Sequence, residues 1–329
     1  IWGGRRASEA PFLFAANELK LEIFFIEIGS SLGKFMMTKN NIHTFSGAAK
    51  DVVDLLNQTN SSQNELLLYR EGELYFKELR SGNSKQPHFK SFLKGFDSEI
   101  PESIRNSNLP VALFVTSTTW EMAEYPEHQE LPKEFQNQYS LISKIANDDD
   151  ILNNYRLVIR WHPNSLKAGK FEQEMTNVTI QNTPRAIHIT AKNRINSYEL
   201  VDLSDVVISY GSTLGIESVY QGKPSILVGK ATYQGLDSVY EPSDYSELKS
   251  ILATTPAPLD KKGAMVWGAW QRTRGLPFIH VEEMESNYFF RAKRVKYRQA
   301  SSRVRDIVFK YKHLLKLLYL KIVNAVKTF

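Results

Sequence analysis

The sequence contains no cysteine. That removes disulfides and thiolate metal sites, and it fits a chain living in a reducing, cytoplasmic compartment. Also missing is any uninterrupted apolar run long enough to span a bilayer. No repeat of solenoid type runs through the chain. His88, His128, His188, His280 and His313 show no metal-ligand spacing. The first residue is Ile1 rather than methionine, so the chain reads as one whose start is missing, and the lack of a signal peptide is uninformative.

What is present is the make-up of a globular protein. With 329 residues, 42% of them hydrophobic and 23% charged, the chain can form one large or two ordinary domains with proper cores. The net charge of +5 is unevenly placed: from Arg291 onward twelve Lys and Arg face Asp306 alone, and the remainder is acidic by 6. The basic excess therefore belongs to a tail. That is a poor pattern for a nucleic-acid surface on the body, and no nucleic acid is expected as a partner.

Hydrophobic patterning predicts an alternation of strands and helices. A helix around Phe12–Leu19 precedes a strand from Glu22 to Ile28 that stops at Gly29-Ser30-Ser31, and "AAKDVVDLLNQ" is an amphipathic helix. Residues 57–108 are polar and read as excursions and a linker. Strands follow at "LPVALFVTSTTWE", "YRLVIRWHPN", "DVVISYGST" and "PSILVG", with "VTIQN" short and extended. Helices are expected around Phe135 to Ala146, over "SYELVDLS" with Ser197 as N-cap, and over "GIESVYQG" and "DYSELKSIL". This spacing calls for parallel βαβ units, hence an α/β fold with a doubly wound sheet. Ligands of such sheets sit beyond the carboxyl ends of the strands. Four clusters fall there: Glu27 to Gly29, Thr116 to Glu121, Arg160 to Asn164, and Ser209 to Thr213.

The last cluster suggests a particular chemistry. A helix opening at Gly211-Ser212-Thr213 offers free backbone N–H groups and the positive end of its dipole to an anion, and the hydroxyls of Ser209, Ser212 and Thr213 add donors. An ordinary serine N-cap is the plainer alternative. Arg160 and His162 end an earlier strand of the same sheet, where they can meet the same anion. Glu217, about one turn further in, can accept two hydrogen bonds from a ribose diol. "NDDD" at 147–150 resembles an Asp-x-Asp metal motif, but its place between a helix and a strand favours a cap or a solvated turn. Lys223 in "QGKP" either precedes a strand or reaches phosphate, and Trp267 and Trp270 are candidates for packing that couples two domains.

The stretch "RWHPN…SYELVDLSDVVISYGSTLGIESVYQGKPSI" resembles the donor half of GT-B glycosyltransferases of the bacterial capsule and lipopolysaccharide biosynthesis class. "VALFVTSTTWE" is similar to the strand that opens the nucleotide domain of that class, and "GLDSVYEPSDYSEL" to its later loop and helix. "GGRRASEAPFLFAANELKLEIFFIEIG" is similar to the acceptor half, with Gly3 and Ile28 departing from the usual Asn and Arg. The resemblance implies two Rossmann-type domains facing a cleft. An acceptor-side domain with a truncated start and a linker would occupy 1–108, a nucleotide-sugar domain 109–275, and a helical tail 276–329. It implies sugar transfer from a nucleotide-activated donor to a glycan or lipid-linked acceptor, inverting, with no cofactor and no metal. Carried over, Arg160 and His162 face donor phosphate or sugar, and Ser212 and Thr213 cap the phosphate helix. Glu217 binds ribose, while Thr116, Ser117 and Glu121 line the floor. Glu27 is the candidate base, or else a surface carboxylate or a partner of Arg5; Arg5 and His43 belong to the acceptor side. A teichoic-acid-type polyol-phosphate transferase, a non-hydrolysing sugar epimerase and a degenerate binding scaffold remain alternatives.

Residues 301–329 read as one amphipathic helix with Ile307, Val308, Tyr311, Leu314, Leu315, Leu318, Ile322 and Val326 on one arc. Either this stripe packs on the domain body, or the helix lies on an anionic membrane, making the protein cytoplasmic and peripheral to the inner face of the cell membrane.

Overall fold

A computed structural model describes residues 9–31, 33–39, 44–57, 62–83, 99–118, 126–277, 281–282 and 291–292. The chain divides into two compact units, Ile1–Pro277 and Phe278–Phe329. The second contributes two short strands, Val281–Glu282 and Arg291–Ala292, paired antiparallel. The expected helix over 301–329 lies outside the described residues.

The first unit is organised by a five-stranded parallel sheet. Its strands are β3 (Val111–Val115), β4 (Arg156–Arg160), β5 (Ile187–Ile189), β6 (Val206–Ser209) and β7 (Ser225–Leu227), in spatial order β5-β4-β3-β6-β7. Parallel strands covered by helices on both faces read as unbroken apolar runs, and all five residues of β3 are buried. Ala112 and Phe114 point into one core with Leu157, Ile159 and Ile208, together with Leu141 and Ile145 of the helix Gln138–Ile145 and Leu248 of the helix Tyr245–Ala253. Val111, Leu113 and Val115 point to the other face, with Val158, Val207 and Leu200 and Val201 of the helix Ser197–Leu203. This is the doubly wound α/β arrangement that the sequence predicts.

The N-terminal elements are built differently. Helix α1 (Ala10–Glu18) precedes β1 (Phe25–Ile28) and β2 (Lys34–Thr38), which pair antiparallel and are completed by the short β8 (Leu276–Pro277). The connection between β1 and β2 is too short for the crossover that a parallel pair needs, so these residues form a hairpin. Gly275 makes the junction possible: its φ is +90°, and a Cβ there would lie 2.9 Å from the Gly29 Cα.

Helix α2 (Phe45–Asn57) matches the expected amphipathic helix, but the stretch read as linker contains α3 (Ser62–Arg80), 19 residues long. Its Tyr75, Phe76 and Leu79 are buried with Trp267 and Trp270 of the late helix Lys262–Thr273. Trp267 lies edge-on to Tyr75 and stacks on Phe76, so the tryptophans do join N-terminal to C-terminal elements. "VTIQN" is helical too, as the end of the helix Lys170–Asn182. Thr179 donates its hydroxyl to the Met175 carbonyl, and Ile180 packs against the core, so tertiary burial overrides β-branched preference.

Candidate functional site

Strand order locates the ligand crevice. The chain runs from β3 outward through β4 to β5, then returns to the other side of β3 with β6 and β7. Connections thus leave β3 and β6 in opposite directions, and the gap beyond their carboxyl ends is the topological switch point where open α/β sheets bind ligands. Thr116 to Thr118 bound it on one side and Ser209 to Thr213 on the other. Residues 119–125, including Glu121, lie outside the described residues, as do Arg5 and His43.

On the β3 side two hydroxyls are committed to building the wall. Thr116 accepts the His162 N–H at 2.8 Å, and its own N–H donates to the Arg160 carbonyl at 3.1 Å. Ser117 donates its hydroxyl to the Tyr210 carbonyl at 2.7 Å, while Gln138 brackets the Ser117 backbone. Thr118, within the Thr116 to Glu121 cluster, is fully buried and its hydroxyl has no partner among the described residues.

The β6 side carries the backbone donors. Gly211 has φ +85°, which turns the chain sharply out of the strand. The Ser212 carbonyl is held from below by the hydroxyls of Ser209 at 3.0 Å and Tyr233 at 2.7 Å. In a planar trans peptide the next N–H points the opposite way, so that of Thr213 is aimed away from the core. No described residue accepts the N–H groups of Gly211, Ser212 or Thr213. Ser209 and Tyr233 leave no room behind them: a Cβ on Gly215 would lie 2.5 Å from the Tyr233 hydroxyl. The helix itself, Leu214–Tyr220, follows directly on the Gly211-Ser212-Thr213 turn, with Thr213 at its N-cap position.

Arg160 is placed where the sequence predicts, but its guanidinium faces the protein. Nε donates to the Ser197 hydroxyl, Nη1 to the Thr190 and Asn193 carbonyls at 2.9 and 3.4 Å, and Nη2 to the Ile195 carbonyl at 3.2 Å. It clamps the loop after β5 onto the helix Ser197–Leu203, whose N-cap is Asn196 rather than Ser197. Burial pushes its pKa down to about 10, still charged at neutral pH. His162 follows in extended conformation, and its Nδ1 accepts the Asn164 N–H at 3.2 Å. In the neutral ring that puts the proton on Nε2.

Glu217 is buried in its helix. Tyr198 donates its hydroxyl to Oε2 at 2.6 Å. Burial raises the carboxyl, while hydrogen bonds from Tyr198 and Thr213 pull it back. Tyr75, buried and with no partner for its hydroxyl among the described residues, lies in the field of both Glu217 and Arg274. Arg274 stacks on Trp270 at 4.3 Å and in turn feels Glu27 and Asp51. Glu27 itself, in β1, accepts the Ile28 N–H on Oε1 at 2.7 Å. Tyr75 came from the segment read as linker, and Arg274 and Tyr198 carried no motif; only the fold brings them here.

Two other features sit away from the crevice. Lys223 donates to the Asp202 and Ser204 carbonyls at 2.9 and 2.8 Å, which satisfies the end of a helix and takes it away from any phosphate. Asp148 accepts the Asp150 N–H as an N-cap, and Lys249 bridges Asp148 and Asp150. "NDDD" is thus a cap with an ion-pair cluster.

The chain is, by fold, a doubly wound α/β protein with its crevice at the switch point. No protein-family model matches it, and no curated protein matches it in sequence. Among solved structures it is similar to the Thermosulfurimonas dismutans KpsC beta Kdo 2,4 transferase, at 13% identity over 82% of this chain and 78% of that one, with a TM-score of 0.47. The KpsC beta Kdo 2,7 transferase of the same organism gives 13% identity over 82% and 74%, with a TM-score of 0.45. A Listeria monocytogenes protein named as a UDP-N-acetylglucosamine 2-epimerase gives 13% over 52% and 46%, with a TM-score of 0.34.

Proposed function

We propose that this chain is a glycosyltransferase that moves a sugar from a nucleotide-activated donor to a surface glycan of the capsule or lipopolysaccharide kind. The observation that carries the reading is the meeting, at the switch point, of the outward Thr213 N–H, in a turn whose N–H groups no described residue accepts, with a buried carboxylate one turn on. The N–H groups suit the donor's phosphates and Glu217 its ribose, and the sequence motifs around both resemble the donor half of GT-B enzymes.

In this reading residues 109–275 hold the donor and 1–108 the acceptor. Glu27 takes the proton of an acceptor hydroxyl, whose oxygen bonds to the anomeric carbon from the face opposite the leaving group. The bond from that carbon to the phosphate oxygen breaks, and its electron pair leaves with the phosphate, stabilised by the 211–213 amides and the His162 Nε2–H. Arg160 shapes the wall through its loop rather than by touching phosphate. Among the described residues no helix is long and apolar enough to cross a membrane. A place on the inner membrane face rests on the sequence of 301–329 alone.

Thermal unfolding in the presence of a panel of nucleotide sugars tests the reading. One donor is expected to raise the midpoint by mass action, and silence from every donor at millimolar concentration overturns it. Glu27→Gln is then expected to keep the donor's shift and lose transfer, because an amide preserves shape without accepting a proton. Turnover like the wild type removes Glu27 as the base.

A further inference from the structure

We propose that Tyr198 is a positioning residue for the sugar-diol end of the crevice: its hydroxyl fixes the Glu217 carboxylate in the orientation that accepts the two hydroxyls of a nucleotide's ribose. The inference rests on the reading of Glu217 given above. It begins from a bond between two helices. Tyr198 lies in the first turn of Ser197–Leu203, and its hydroxyl reaches Oε2 of Glu217, in Leu214–Tyr220, at 2.6 Å.

Tyr198 is itself held. The Arg80 guanidinium lies over its ring, 5.5 Å from the centroid, and Arg80 is paired with Asp202, one turn beyond Tyr198 on the same helix. Four side chains from three helices thus form a closed set, and one of those helices, Ser62–Arg80, comes from the N-terminal part of the chain. A phenol needs only some acceptor, but a bond to one oxygen of a carboxylate also sets the plane of that carboxylate. With Tyr198 on one oxygen and Thr213 as a second partner, Glu217 keeps acceptor capacity for a vicinal diol, since a carboxylate offers about four lone-pair sites. Diol recognition depends on that plane, because two neighbouring hydroxyls must be met together.

The test uses CMP, UDP and GDP as probes, each with its 2′-deoxy and 3′-deoxy forms, titrated calorimetrically into the whole chain. For the nucleotide that binds best, Tyr198→Phe is expected to lower the preference for ribose over deoxyribose by about tenfold, with affinity for the deoxy forms little changed. In a Glu217→Gln background the same substitution is expected to have no further effect on that preference. An unchanged preference in folded Tyr198→Phe, or additive effects in the double variant, overturns the proposal. If Tyr198→Phe does not fold, Arg80→Gln leaves the hydroxyl and removes the cation from the ring. It is expected to lower the preference about threefold, and no change overturns the proposal equally. Failure of the underlying reading looks different: a wild-type chain that binds none of the three nucleotides, or shows no preference for ribose, removes Glu217 as a diol acceptor and Tyr198 with it.

Discussion

All five residues of Val111–Val115 are buried, whereas in Phe25–Ile28 only Phe25 is. The two regions form strands for different reasons. The parallel sheet generates its own interior, with helices on both faces and cores that draw on neighbouring elements. The hairpin borrows its stability: its Met36 is buried in a cluster supplied by α2, α3, the helices Leu214–Tyr220 and Lys262–Thr273, and β7 with the loop after it. What differs is the sequence distance over which a strand finds its partners. The parallel strands are covered by helices on both faces, while the hairpin also draws on residues more than two hundred positions away.

Trp267→Ala should separate the regions most. It empties the centre of the shared cluster and is expected to cost about 3–5 kcal/mol in a denaturant titration. Amide exchange should accelerate first over 25–38 and only later over the parallel strands. Equal acceleration in both regions would mean that the hairpin is no more dependent than the sheet.

Arg160→Met tests the parallel region at its functional edge. Losing the clamp on four partners from one buried guanidinium should cost about 2–4 kcal/mol and expose the loop over 190–195 to protease. Unaltered stability combined with lost nucleotide binding would return Arg160 to direct phosphate contact.

The smallest effect is with pH. Burial lowers the pKa of His188, which sits between Trp161 and Thr183. A histidine that stays neutral when folded gives its full contribution above the ordinary imidazole value near 6.5. Below that value the unfolded chain takes up a proton first. Stability therefore declines as the pH falls, and levels off once the folded ring also protonates. His188→Gln should flatten that decline, as read from unfolding midpoints between about pH 7 and pH 5.

The same contrast explains what could be read from sequence. Four of the five parallel strands announced themselves as apolar runs with a polar end, and the crevice followed from their alternation with helices. The three-residue β5, Ile187–Ile189, did not, since "VTIQN", the extended segment read in its place, is helical. Helix α3 did not, because its buried Tyr75, Phe76 and Leu79 are interspersed with Glu, Lys and Arg, several of which pair across the contacts that bury it. Arg160 was found as a residue and misjudged as a surface, since local sequence cannot tell a guanidinium aimed at ligand from one aimed at four loop and helix partners. Tyr198 and Tyr233 were invisible for the opposite reason: nothing in "SYEL" or "ATYQG" tells which phenols will meet a carboxylate or a turn.

The close fit of α3 against the helix Lys262–Thr273 bears on how the chain is made. A Cβ on Gly72 would sit 2.1 Å from the Met265 carbonyl oxygen, and Arg272 pairs with Glu71 and Glu78 across the contact. Roughly 180 residues separate the two helices, so a ribosome working at 5–20 residues per second leaves α3 without its partner for on the order of 10–40 seconds. During that interval Tyr75, Phe76 and Leu79 lack the tryptophans that cover them, and β2 lacks its neighbour β8. The parallel sheet, whose pairings close over shorter spans, can assemble as its strands emerge. The hairpin is synthesised before the parallel sheet and completes its packing after it, and any product cut short before Lys262 carries an open apolar helix face.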